Sequence, residues 1–324
     1  MKAIVQDRYG PPDVLEYREV DRPAPGDHEV LVRIRAAAVN AADWHLMRGD
    51  PYVARLALGV RRPKVRIRGR DFAGTVEAVG RAVTGLRPGD EVYGEADAAF
   101  AEYVCAPATA VDLKPANLTF EQAAAVPLAG NTALMGLRDL GRLRPGQSVL
   151  VNGASGGVGT FAVQIAKALG AEVTGVCSTR NAELVRSLGA DHVVDYTRED
   201  FTRTGRTHDL VFDLVGNHSL AGFRRALAPG GTLVLSGGGL SEGGSLFGPM
   251  GLLVKGQALS RFVGYRLLVL TAEPRRENLA ALRELLESGQ VTPVVDRSFP
   301  LAEAAEAIRY LEVEHARAKV VITV

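Results

Sequence analysis

Two stretches of this chain have residue types and spacing suited to chemistry on a nucleotide. The first is Asn152-Gly153-Ala154-Ser155-Gly156-Gly157-Val158-Gly159. Before it, Ser148-Val149-Leu150-Val151 is a short apolar run, rich in β-branched residues, that reads as a buried parallel strand. After it, Phe161, Val163, Ile165, Ala166 and Leu169 fall over a helical span that Gly170 ends. The turn fits G-x-G-x-x-G with Ala154 in the first place and Gly156 and Gly159 in the others. Gly156 lets the backbone approach a pyrophosphate, and Gly159 lets the helix lie close to the strand. The helix N-terminus adds free N–H groups and the positive end of its dipole. Ala154, Ser155, Gly156, Gly157, Val158 and Gly159 are therefore expected to hold a dinucleotide.

The second stretch follows the next strand, Glu172 to Cys177. An NAD enzyme places an Asp or Glu where this strand ends, to bond the ribose 2′-hydroxyl. Here the strand runs into Ser178-Thr179-Arg180-Asn181, two hydroxyls and a cation with no acid. A 2′-phosphate needs donors and positive charge, so NADPH is expected rather than NADH. The competing reading has Ser178 and Thr179 capping the next helix, with Arg180 solvated in its first turn. A cation there opposes the helix dipole, which favours the phosphate.

The rest of the chain must position these stretches. Its 324 residues are enough for two domains. With 47% apolar and 23% charged residues and a formal net charge of +1, neither nucleic acid nor a membrane is expected as partner. Met1 to Val5 is short for a signal peptide and reads as a strand. The apolar stretch Gly251 to Leu270 is broken by Lys255, Arg261 and Arg266, which does not suit a bilayer span. Cys105 and Cys177, the only cysteines, argue against a disulfide framework and for a reducing cytoplasm.

Residues 1 to about 120 alternate short strands with Gly and Pro turns: Val30 to Arg35, Ala73 to Val79, Glu91 to Tyr93 and Phe100 to Val104. That rhythm predicts a compact antiparallel barrel. Thr119 then reads as the N-cap of a helix reaching about Leu140, interrupted at Pro127 to Gly130. Strands expected at 148–152, 172–177, 192–195, 210–213, 231–236 and 263–270 alternate with helices, the pattern of a doubly wound α/β sheet. Ser236 to Phe247, rich in glycine, reads as a mobile loop at a strand's carboxyl end, where ligands sit in such sheets. A helix from Arg276 to Leu286, a strand from Val291 to Phe299, a helix from Ala302 to Leu311 and a last strand, Lys319 to Val324, complete the chain. The tail is expected to return to the first domain, so that 1–122 with 271–324 form one domain and 123–270 the other.

Further motifs carry a resemblance: Val39-Asn40-Ala41-Ala42-Asp43, Gly69-Arg70-Asp71-Phe72-Ala73-Gly74, Gly85 to Val92, Gly130-Asn131-Thr132-Ala133 and Ala316 to Val321. With the Gly153 to Gly159 turn, they resemble the medium-chain dehydrogenase/reductase superfamily, and most of all its zinc-free quinone oxidoreductase branch. The resemblance implies a GroES-like, mostly-β barrel domain beside a doubly wound Rossmann domain. Ala318 departs from it, since a glycine is common there. In the zinc alcohol dehydrogenases of the superfamily the ligands stand where this chain has Asn40, Arg70 and Leu128. An arginine cannot be deprotonated to bind a metal and leucine has no lone pair, so no metal is expected.

The implied reaction is hydride transfer from NADPH to a quinone or an α,β-unsaturated carbonyl, catalysed mainly by positioning. Asn40 and Thr132 are expected beside the nicotinamide and substrate, although Asn40 could instead bond a neighbouring loop backbone. Gly238 and Gly239 are expected as backbone contacts, with Val215, Ser236 and Lys319 also on the cofactor. Tyr196 either backs the adenosine phosphate or is a half-buried aromatic at a strand end. Tyr52 stands close to where enoyl-thioester reductases of the superfamily carry a proton-donating Tyr; solvent is the alternative donor. Asp43 is expected to accept a turn N–H rather than act as a general acid, and His45 is either a surface residue or a relay. Two other readings stay open, an enoyl-thioester reductase and a low-turnover NADPH-binding redox sensor or interaction protein. A homodimer is expected through Arg261 to Leu270, a β-rich run that would otherwise leave a sheet edge open.

Overall fold

The computed structural model describes residues 1–236, 250–260, 263–313 and 317–324. Strands β1 (Lys2–Gln6) and β2 (Leu15–Glu19) form an antiparallel pair. The long β3 (Glu29–Val39) leads into helix α1 (Ala41–Arg48) and the one-turn α2 (Arg55–Leu58). Then come β4 (Asp71–Val79), β5 (Glu91–Glu95), β6 (Tyr103–Pro107) and β7 (Val111–Leu113). β3 pairs antiparallel with both β4 and β6, β4 with β5, and β5 with β7. The period of two shows in β3, where Val30, Val32 and Ile34 enter the core while Arg33 and Arg35 stay exposed. The strand expected at Phe100 to Val104 lies at Tyr103–Pro107 instead. Phe100 is fully buried and its N–H is taken by Arg68 O, so it anchors the loop before the strand.

Thr119 caps α3 (Phe120–Ala124) through a reciprocal pair with Gln122. The interruption expected at Pro127 to Gly130 is instead the start of α4 (Pro127–Leu134), and the break falls at Ala125-Val126. Proline lacks only an N–H that a first helical turn leaves unpaired anyway, so Pro127 opens a helix rather than stopping one. The helical path widens into a π-type stretch over Met135–Leu140.

The second sheet contains β8 (Ser148–Asn152), β9 (Glu172–Cys177), β10 (His192–Asp195), β11 (His208–Asp213), β12 (Leu227–Leu235) and β13 (Arg266–Val269). Helices α5 (Gly157–Ala168), α6 (Ala182–Ser187), α7 (Leu220–Arg225) and α8 (Met250–Leu259) run between them. Every pairing is parallel, in the order β10-β9-β8-β11-β12-β13. That is the doubly wound Rossmann arrangement, with its crevice at the carboxyl end of β8, where the order reverses. The first three strands coincide with their expected bounds. β12 starts earlier than expected, at Leu227 beside His208. β13 is shorter than the expected 263–270.

The tail forms α9 (Arg276–Glu287), β14 (Val295–Pro300), α10 (Ala304–Val313) and β15 (Lys319–Thr323). β15 pairs antiparallel with β3, and β14 lies parallel to β15, so both tail strands complete the first sheet. Ala318 N–H donates to Ser155 O at 2.8 Å, which ties β15 to the turn after β8. Among the described residues, no helix is long and apolar enough to cross a membrane.

Ala318 is buried and holds φ at 55°, the left-handed region that a Cβ disfavours by roughly 1–2 kcal/mol. Part of the relief gained by glycine is offset by the looser unfolded chain. Ala318→Gly should therefore stabilise the fold by about 0.5–1 kcal/mol, measured as an upward shift of the urea midpoint with an unchanged slope.

Candidate active site

Strand register builds one corner of the site. β3 pairs with β4 through Ala38 opposite Asp71, and with β15 through Val39 opposite Val320. The residues at those three strand ends, Asn40, Asp71 and Lys319, therefore meet. Lys319 Nζ donates to Asn40 Oδ1 and lies 3.2 Å from Asp71 Oδ2. Asn40 Nδ2 donates to Asp71 Oδ2 at 3.0 Å. The other Asp71 oxygen accepts the Leu128 N–H at 3.0 Å, in the first turn of α4. One turn on, Thr132 Oγ1 donates to Leu128 O at 2.7 Å. Asp43 accepts the Asn40 N–H at 2.8 Å and fixes the entry to α1, the role expected of it.

The corner is dry and nearly balanced in charge. Lys319 is 2% exposed and Asp71 not at all. Arg70 pairs with Glu95 at 2.8 Å, and Arg68 lies in the field of Asp43. Burial pushes Asp43 up to about 6, against the pull of the Asn40 N–H. Burial, then Asp71, pushes Glu95 up to about 7, resisted by Arg70. Both groups bind protons more tightly folded than unfolded, so they favour the fold below pH 4 and that advantage is lost as pH rises toward 7. Stability should fall across this window. Glu95→Gln keeps a bond to Arg70 and should remove much of the slope. Urea titrations at several pH values measure it, and an unchanged slope would count against the assignment.

The nucleotide side is built at the carboxyl end of β8. Gly153 has φ of 89°, which lets the chain turn sharply out of the strand. A Cβ on Gly159 would stand 2.1 Å from Gly153 O, so only glycine lets α5 approach this closely. Gly156 is the N-cap of α5 and no side chain caps the helix, which leaves first-turn N–H groups for a ligand. Asn181 Nδ2 holds Ser155 Oγ at 3.0 Å. Val215 Cγ2 closes over Gly153, and its N–H is fixed by Asp213, which also holds Asn152 at 2.8 Å. Ser236 N–H bonds Asp213 O at 3.0 Å, so Val215, Ser236 and the turn from Ala154 to Gly159 share one rim. The aliphatic stem of Lys319 runs beneath Gly157, where a Cβ would meet its Cδ at 3.1 Å. Lys319 thus links the glycine turn to Asn40.

Other expected residues fare differently. Ser178 precedes a short turn, Thr179–Asn181, that carries exposed Arg180. Thr179 Oγ1 donates to Asp195 at the end of β10 and lies 3.0 Å from Thr197 Oγ1. Tyr196 is 58% exposed, with its N–H on Cys177 O. Tyr52 is 45% exposed and stacks on the Arg55 guanidinium. His45 is tied to Asp50 O at 3.0 Å and lies edge-on to Trp44. Gly238 and Gly239, the rest of the Ser236 to Phe247 loop, and Arg261 lie outside the described residues. Among the described residues, no group of three or more His, Cys, Asp or Glu side chains could hold a metal ion.

Residues 26–116 match the alcohol dehydrogenase GroES-like domain, and 188–322 match a family described as zinc-binding dehydrogenase. The 2-methylene-furan-3-one reductase of Solanum lycopersicum is 35% identical over 99% of this chain and 79% of its own. The chain belongs to the medium-chain dehydrogenase/reductase family. The NADPH-dependent alkenal/one oxidoreductase of Arabidopsis thaliana, a chloroplastic protein, is 34% identical over 99% of this chain and 79% of its own. The quinone oxidoreductase structure from Coxiella burnetii superposes with a TM-score of 0.86 at 32% identity, over 100% of this chain and 99% of that one. With these relatives it is an oxidoreductase of the quinone oxidoreductase type.

In this medium-chain oxidoreductase three further side chains, Asp71, Asp213 and Asp195, hold the site. Asp71 stood in the Gly69 to Gly74 motif, yet nothing local showed it would collect Asn40, Lys319 and Leu128. Asp213 closes a strand as an isolated acid after three apolar residues, a visible signal that went unused. Asp195, one strand over from Thr179, puts an acid near the place where the β9 end has none.

Proposed function

We propose that this oxidoreductase uses NADPH, without a metal, to reduce a quinone or an α,β-unsaturated carbonyl. The observation that carries the reading is the corner at the three zinc-ligand places. Asn40 is spent on Lys319 and Asp71, Arg70 on Glu95, and Leu128 offers only its N–H, to Asp71. A buried ammonium in that corner repels a divalent cation, so these residues do not fit zinc. The NADPH reading draws on the Arabidopsis relative's stated cofactor and on Ser178 and Arg180 after β9.

Bound NADPH supplies a hydride from its nicotinamide. The chain's part is to hold and shield. Asn40 has both amide atoms filled by protein, which makes it a positioning residue that locks the α1 entry. Thr132 donates to Leu128 O and keeps acceptor capacity for a ligand. Tyr52, at the surface on Arg55, is not assigned the proton, which solvent supplies. Loss of NADPH absorbance with quinones and enones, and none with simple aldehydes, is the expected result; turnover of aldehydes alone would contradict it.

We further place the protein as a homodimer in a reducing compartment. Both thiols are free, and β13 ends its sheet with one pairing edge unused among the described residues. Light scattering should give twice the chain mass at micromolar concentration; a monomer would remove this part.

A further inference from the structure

A cavity of about 240 Å³ opens beside the corner, between α1, α2 and the segment that precedes β4. Leu46, Leu58 and Ile67 make an apolar wall, and Lys64, Arg68 and Arg70 bring positive charge. Only one acid, Asp97, lines it. Arg70 already answers Glu95, but Arg68 does not have such a partner: it is 4% exposed, its Nε is unbonded, and no hydrogen bond or ion pair reaches its guanidinium among the described residues. Asp43 and the exposed Asp97 are near enough to act on it electrostatically, yet neither forms a hydrogen bond or ion pair with it, and Asp43 Oδ1 is itself unbonded. A buried guanidinium without a partner is costly, and a carboxylate matches its planar fork in two parallel bonds.

We propose that this cavity seats a carboxylate carried by the acceptor, so that the preferred substrate is a small unsaturated ketone or quinone bearing an acid group. The size fits a few heavy atoms rather than an acyl carrier or a nucleotide. The apolar wall takes the carbon skeleton and Arg68 takes the charge. Arg70 adjoins Asp71 in sequence, and Leu46 lies on the helix that Asn40 opens, so α1 and the start of β4 connect the cavity to the corner. This inference rests on the enone reductase reading above.

The test compares acetylacrylate with its methyl ester as acceptors for NADPH, using wild type, Arg68→Met and Arg68→Lys. Wild type should favour the acid in kcat/KM by at least about tenfold. Arg68→Met should lower the acid-to-ester ratio by about 10- to 100-fold, mainly through KM, and Arg68→Lys should restore part of it. Calorimetry with levulinate, a saturated acid that cannot be reduced by conjugate hydride addition, should show binding to wild type and not to Arg68→Met. No preference for the acid in wild type, or an equal loss for acid and ester in Arg68→Met, overturns the proposal. If Arg68→Met fails to fold, the wild-type ratio and levulinate binding decide alone. Levulinate binding without consumption of NADPH by any acceptor would sink the reductase reading and keep the anion site. Turnover of neutral quinones with no levulinate binding would do the reverse.

Discussion

Lys319→Met should destabilise this oxidoreductase by about 3–5 kcal/mol, the usual result of leaving a buried charge without its partner. Lys319 and Asp71 are 3.2 Å apart, with at most 2% of either residue exposed. Removing the ammonium leaves Asp71 facing Asp43 and Glu95, with only the Asn40 and Leu128 N–H groups to compensate it. Asp71→Asn in the same chain removes the stranded charge and should recover more than half of the loss, since a pair replaced as a unit costs far less than a pair broken. Trp44, the only tryptophan, is 1% exposed on α1, so its fluorescence in urea reports this corner. A single variant as stable as wild type would mean that the pair does not hold the corner.

Arg180→Ala should weaken NADPH and spare NADH. A hydrogen bond to a charged group is worth roughly 1.5–3 kcal/mol, a 10- to 100-fold loss in kcat/KM for NADPH alone. Thr179 donates to Asp195, so a 2′-phosphate would have Ser178 and Arg180 as its donors here. Kinetics with each cofactor at matched ionic strength decide the matter. A parallel loss for both would make Arg180 a helix residue and nothing more.

What was legible in the sequence was what is local. The β8–turn–α5 unit is built within about twenty consecutive residues, and its strand, glycines and helix are each visible on their own terms. The doubly wound character of the second sheet and the return of the tail followed from rhythm and resemblance together, whereas the strand order in each sheet is set by pairings between distant segments. The corner was not legible, because Asn40, Asp71 and Lys319 come from three strand ends separated by up to 279 positions and are joined only by register. Arg68 stands in sequence as one basic residue among several, and its backbone is held between Ile4 of β1 and Phe100, both more than thirty positions away at one side or the other. Pro127 was misplaced because a proline reads equally as an end or a beginning until the helix around it is known. Tyr52 is expected near the site by analogy alone, and its stacking partner Arg55 is only three positions on.

The most direct test is transfer of deuterium from NADPH labelled at the reactive nicotinamide carbon to an enone, in buffer freed of metals and containing a chelator. Mass analysis of the product should show one deuterium, at a rate the chelator does not change. Unlabelled product, or turnover that stops with the chelator and returns with zinc, would contradict a metal-free hydride transfer.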